Sequence, residues 1–168
     1  MAPRVHHGMT GSRARVVGVI ADTHGLLRPE AVVALRGVGA IVHAGDIGTS
    51  DVLDRLGEIA PVTAVRGNND RGAWAEKLPS TEVLEIGGVL LYVLHNVNEL
   101  DLDPRAAGFG AVISGHSHQP RQEERGGVLF FNPGSAGPRR FKLPAAVGRL
   151  TVDAGRVRGR ILELRCGT

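Results

Sequence analysis

A chain of 168 residues has the length of one ordinary domain and can bury a core without disulfide or metal staples. Its 42% apolar content excludes disordered and collagen-like classes, and with only 4% aromatic residues the core falls to Val, Leu, Ile and Ala. The net charge of +3 is carried almost wholly by arginine and is spread along the chain, unlike the clustered patch of a nucleic-acid binder.

Cys166 is the single cysteine, so neither an internal disulfide nor a cysteine metal site forms, and a cytoplasmic location is the expectation. The apolar run 16–21 is too short for a signal-peptide core. The run 89–94 falls far below the ~20 residues that a membrane span requires.

Residues 1–14 are polar and without period, and read as a flexible N-terminal tail carrying His6 and His7; residues 15–168 read as a single domain. From there strands and helices alternate. VVGVIA (16–21) is a buried strand, and PEAVVALRG (29–37) is a helix framed by proline and glycine. AIVHAG (40–45) is a second strand. TSDVLDRLGEI (49–59) is a helix opening on a Thr or Ser cap, and VTAVRG (62–67) is a third strand. This β-α-β-α-β half predicts a parallel sheet with right-handed crossovers.

The second half predicts hairpins. Gly87-Gly88 separates TEVLEI (81–86) from VLLYVLH (89–95). A short helix is expected around 101–107, followed by the strand AVISG (111–115). QPRQEE (119–124) and VLFF (128–131) flank Gly126-Gly127, and VGRLTV (147–152) turns at Ala154-Gly155 into RVRGRILEL (156–164). Arg156, Arg158 and Arg160 read as a solvated edge face rather than a phosphate track.

Five of these strands run into residues able to hold a metal. They are followed by Asp22-Thr23-His24, Asp46, Asn68-Asn69-Asp70, His95-Asn96 and His116-Ser117-His118. In open α/β sheets the functional cleft lies beyond the carboxyl ends of the strands, so strands of one sheet would bring these tips together. Two Asp, one Asn and four His offer oxygen and neutral imidazole nitrogen without thiolate, a mixture suited to Mn, Fe, Zn, Co or Ni. Seven ligands exceed one tetrahedral site and suit two ions bridged by a carboxylate. His43 reads as an ordinary half-buried histidine. Gly45, Gly67 and Gly115, each just before a ligand candidate, let the backbone turn tightly there.

The run D-x-H, G-D, G-N-x-D, H and G-H-x-H resembles the calcineurin-like metallophosphoesterase superfamily. N-P-G-S at 132–135 with Arg139 nearby makes the chain similar to its small YfcE/MJ0936-like phosphodiesterase branch. The resemblance implies an α/β (α+β) fold, a four-layer αββα sandwich of two mixed sheets flanked by helices. It implies two divalent ions, with Mn expected first. Asp22, His24 and His118 would hold one ion, Asn68, His95 and His116 the other, and Asp46 would bridge them. The implied reaction is hydrolysis of a small phosphodiester or nucleotide-like substrate by in-line attack of a hydroxide bridging the ions. Asn69, Asp70 and Arg139 would assist, with Asn69 and Arg139 on phosphoryl oxygens and Asp70 holding a ligand or loop. A homo-oligomer is compatible with this reading; membrane and nucleic-acid partners are not expected.

Two other readings stay open on the same residues: a phosphomonoesterase or nucleotide pyrophosphohydrolase, and a non-catalytic scaffold resembling the retromer subunit of this fold. Scaffolds of that kind lose metal ligands, whereas this chain keeps each one. There are two departures from the superfamily pattern. Asn69 stands where many members have histidine, and it cannot serve as a proton donor at neutral pH. Asn96 follows the ligand histidine where glycine is common.

Overall fold

The structure, a computed structural model, describes residues 5–7, 15–140 and 142–166. The first half folds around β2 (Arg15–Ile20), β3 (Ala40–His43) and β4 (Val62–Ala64), paired in parallel and joined by α1 (Pro29–Ala34) and α2 (Ser50–Gly57). Both helices are shorter than their sequence pattern. Pro29 starts α1, which yields to a turn before Gly37 at φ 82°. Thr49 is the N-cap residue of α2, although its side chain makes no capping hydrogen bond. A further helical turn, α3 (Ala73–Glu76), has no signal in the sequence pattern.

The hairpins form at the expected glycine pairs. β5 (Thr81–Ile86) pairs antiparallel with β6 (Val89–Leu94), and β8 (Arg121–Arg125) with β9 (Val128–Asn132). With β7 (Phe109–Ile113) they make a sheet ordered β1-β5-β6-β7-β9-β8, in which β1 is Val5–His7. That strand lies inside the segment read as a tail and runs parallel to β5. The remainder of 1–14 lies outside the described residues. β10 (Ala146–Asp153) and β11 (Arg156–Glu163) complete the other sheet, ordered β11-β10-β2-β3-β4.

The sheets stack face to face. Val17, Val19 and Val42 of one meet Leu84, Leu91, Ile113 and Phe131 of the other in a single buried cluster. Ile20, Ile41 and Val147 point the other way, against Ala31, Leu35, Val52 and Leu56 of the helical layer. Strands covered on both faces read as continuous apolar runs, as 16–21 does. On the outer face of the six-stranded sheet, Tyr92, Leu94 and Val112 are covered by Leu100 and Leu102. That layer is irregular: one 3-10 turn at Val97–Glu99, then turns in place of the helix expected over 101–107. The Asp103 carboxylate takes the Arg105 and Ala106 amides, and Gly108 at φ 84° ends the turn before it can propagate. No described helix is long and apolar enough to cross a membrane.

Phe131 shows how closely the sheets fit, because its ring lies where Cβ atoms on Gly148 and Gly159 would stand. Gly148→Ala forces this fully buried ring to move and should cost about 1–3 kcal/mol of stability. Denaturant unfolding measures it; an unchanged midpoint would show that the two sheets are less tightly packed than described.

Candidate metal centre

The loops leaving β2, β3, β4, β6 and β7 meet at one end of the sandwich and are laced to one another. The Asp22 amide donates to the Gly45 carbonyl (3.0 Å), the His24 amide to the Asp46 carbonyl (2.9 Å) and the Gly115 amide to the His95 carbonyl (2.9 Å). Asp22, His24, Asp46, His116 and His118 all have left-handed backbones, with φ between 46° and 71°. Each such residue costs on the order of 1 kcal/mol, and clusters of them mark functional sites. Two glycines make room. A Cβ on Gly67 would strike Asp46, and one on Gly45 would strike the His95 ring.

The seven predicted ligand residues come together as two groups. In the first, His118 Nε2 lies 3.5 Å from Asp22 Oδ1 and 3.3 Å from His24 Nε2. In the second, His95 Nε2 lies 2.9 Å from Asn68 Oδ1, and His116 Nδ1 lies 3.2 Å from that oxygen and 3.3 Å from His95 Nε2. Asp46 Oδ2 sits between them, 3.8 Å from His24 Nε2 and 3.4 Å from His95 Nε2.

Hydrogen bonding tests whether a cation fits. His95 Nδ1 donates its proton to the Ala44 carbonyl at 2.8 Å, which aims the Nε2 lone pair at Asn68 and Asp46, both acceptors. Asp22 Oδ1 is buried with no hydrogen-bond partner. Acceptors converging on acceptors require either a protonated imidazole or a cation among them. The donor set of carboxylate, amide oxygen and imidazole fits a divalent ion.

The electrostatics without a cation are correspondingly unfavourable. Burial pushes the Asp22 carboxyl up to about 7; His95 opposes this and the nearby Asp46 charge adds to it. Burial works against charge on His95 too, but the bond to Asp46 and the Ala44 carbonyl outweigh it and raise its pKa. Burial likewise opposes ionisation of Asp46, yet the bonds from His95 and Asn69 hold it well below the usual carboxylate range. Burial, Arg140 and His24 lower His118 to about 4.

The remaining predicted residues occupy distinct positions around the two groups. Asn69 turns to Asp46: its backbone amide donates to Oδ1 and its side-chain amide to Oδ2, both at 2.9 Å. Asp70 accepts the Gly48 amide at 3.0 Å and the Gly67 amide at 2.8 Å, tying two ligand loops together. Arg139 and its neighbour Arg140 are both exposed, and the charge of Arg140 acts on Asp22 and His118. Nothing in the sequence separates these adjacent arginines. His43 is fully buried rather than half-buried. Its Nδ1 accepts the Gly45 amide, so Nε2 carries the proton toward Thr23 Oγ1, whose own proton goes to the Ile47 carbonyl. Burial lowers its pKa to about 3, so it stays neutral. In the N-P-G-S stretch, Asn132 donates to the Gly115 carbonyl and Ser135 to the Asp22 carbonyl, bracing the loops from behind.

Residues 16–155 match the calcineurin-like phosphoesterase superfamily domain. A probable metallophosphoesterase of Methanothermobacter thermautotrophicus is 34% identical over 160 residues, covering 88% of this chain and 92% of that protein. Phosphodiesterase YfcE of Escherichia coli strain K12 is 30% identical over 115 residues, 61% of this chain and 59% of its own. Among solved structures, Vacuolar Protein Sorting 29 from Cryptosporidium parvum superposes with a TM-score of 0.72 at 19% identity, covering 90% of this chain and 98% of that one, a likeness of fold. The chain belongs to the calcineurin-like phosphoesterase superfamily.

Asp22 supplies a pH test. Its folded pKa of about 7 lies above the ordinary carboxyl value of 3.8, so the metal-free folded chain binds the extra proton between those limits and loses stability as pH rises through them. Metal-free Asp22→Asn should therefore gain on the wild type from pH 4 to 7, by roughly 2–4 kcal/mol. With Mn present the order should reverse, because the carboxylate then has its countercharge. Chemical denaturation across pH with and without Mn tests both signs, and parallel curves would refute the assignment.

Proposed function

We infer that the chain is a divalent-metal-dependent phosphodiesterase, a hydrolase of phosphoric esters acting on a small phosphodiester or nucleotide-like substrate in the cytosol. The observation that carries this reading is the Asp46 carboxylate, which faces a histidine of each group through one oxygen. Asp22, His24 and His118 would hold one cation, Asn68, His95 and His116 would hold the second, and Asp46 would serve both. Two such ions, Mn first with Ni, Fe, Zn and Co as alternatives, supply Lewis acidity toward phosphoryl oxygens and acidify water near neutral pH.

The protein's own residues do the positioning. Asn69 fixes both oxygens of Asp46, and Asp70 fixes the loops that carry Asp46 and Asn68. Arg139 and Arg140 bring positive charge to the phosphoryl oxygens of a bound ester. Proton delivery to the leaving oxygen has no evident donor among the described side chains. Asn69 has none to give, both ring nitrogens of His43 are engaged, and the other described imidazoles belong to the ligand set.

Asp46→Asn should weaken both cation sites together, by 10-fold or more in affinity, with turnover falling in parallel. Elemental analysis after equilibrium dialysis and the rate on bis(p-nitrophenyl) phosphate measure it. Two ions bound at normal affinity would remove Asp46 from its shared position. Comparison of that diester with p-nitrophenyl phosphate separates a diesterase from a monoesterase.

The missing proton donor predicts a steep leaving-group dependence. General-acid help is worth ~10²–10⁴-fold, and its absence falls hardest on poor leaving groups. Aryl diesters should be hydrolysed much faster than alkyl diesters. A flat series across leaving-group pKa would mean that a proton is already supplied.

A further inference from the structure

Beside His116, on the outer face of the six-stranded sheet, an open cavity of 430 Å³ is lined by the 3-10 turn after β6 and by β8 and β9. That volume lies within the range of small-molecule sites, ~300–1,000 Å³. His116 belongs both to this wall and to the metal centre, so a molecule bound through its phosphate at the centre can extend directly into the cavity.

The lining combines three chemistries. Arg121, Glu123 and Arg125 alternate along β8 and so share one face of the sheet. Both guanidiniums converge on the same Glu123 oxygen, at 2.8 and 2.9 Å, leaving one net positive charge. Phe130, directly across from Glu123 on β9, lies under the Arg125 guanidinium, 4.9 Å from its ring centre. Asn96, Asn98 and Gln119 line the cavity with amides; the Asn96 oxygen is used on the Asn98 backbone, which leaves its NH₂ group to point elsewhere. Arg121 and Arg125 are 67% and 54% exposed, and ion pairs so exposed contribute little to stability.

We propose that this cavity is the subsite for the organic half of the substrate and that it takes a nucleoside, making nucleotide esters the substrate class. The base stacks on the Arg125–Phe130 platform, the amides meet the hydrogen-bonding edge of the base, and the net positive charge favours an anionic ligand. This assignment rests on the phosphoesterase reading above.

The test uses the full chain loaded with Mn and three competitors of bis(p-nitrophenyl) phosphate hydrolysis: inorganic phosphate, ribose 5-phosphate and AMP, with calorimetry as the second readout. AMP should bind about tenfold tighter than ribose 5-phosphate, the increment expected of one stacked base. Phe130→Leu should bring that ratio close to one. Arg125→Lys, which keeps the charge at an exposed position but loses the flat guanidinium, should reduce the ratio about fivefold and guards against misfolding of the Phe130 variant. Equal binding of AMP and ribose 5-phosphate, with ester hydrolysis intact, overturns the subsite alone. So does a preference that both variants preserve. A chain that hydrolyses no ester and binds no phosphate overturns the phosphoesterase reading and the subsite with it.

Discussion

Two carboxylates and a histidine, Asp22, Asp46 and His95, present ligand atoms all within 4.8 Å of one another in a buried setting. Without a countercharge this arrangement is unfavourable: the like charges oppose each other, and burial raises the energy of both carboxylates. The surrounding structure holds them there nonetheless. Left-handed backbones at five ligand residues, glycines where a Cβ would collide, and a lattice of loop hydrogen bonds all serve to keep these atoms together. Such local costs persist because the surrounding structure over-determines them, and their accumulation here marks the position as a functional site.

Around that centre, side chains fall into those that face the ligand position and those that hold the facing ones. Asp70, Asn132 and Ser135 belong to the second kind, because their partners are backbone amides and carbonyls of neighbouring loops. Asn69 joins them through Asp46. His43 is a fixed neutral element, wedged between Thr23 and Gly45 and saturated on both nitrogens. The reactive surface is therefore small, and most of the polar residues near it act on orientation.

The grouping of the seven candidate ligand residues was legible in the sequence because each lies within three residues of the end of an apolar run, and parallel strands bring their carboxyl ends to one side. The strand pattern and the glycine hairpins were legible for the same reason: periodicity and turn chemistry are local. What local reasoning missed depended mostly, though not for the turn at Asp103, on partners far along the chain. The short β1 carries no apolar run and acquires its place from the edge of β5. The segment 101–107 has helical composition, but Asp103 captures its first amides in a turn. The bonds of Asn69 to Asp46, 23 residues earlier, have no signal in the local sequence. The charge that Arg140 brings to Asp22 and His118 depends on the path of a loop, and adjacent identical residues give no sequence clue to it.

Asp22, His24, Asp46 and Asn68 hang from the five-stranded sheet, while His95, His116 and His118 hang from the six-stranded one. Each proposed ion would thus take ligands from both layers, and the pair would act as a clasp at one end of the sandwich. At the far end, cohesion comes from side-chain packing such as that of Val152 with Ile86 and Val89. The molecule would therefore be mechanically asymmetric, like a book with a catch at its fore-edge: ions would add to the loop hydrogen bonds at one end, while side-chain packing alone closes the spine.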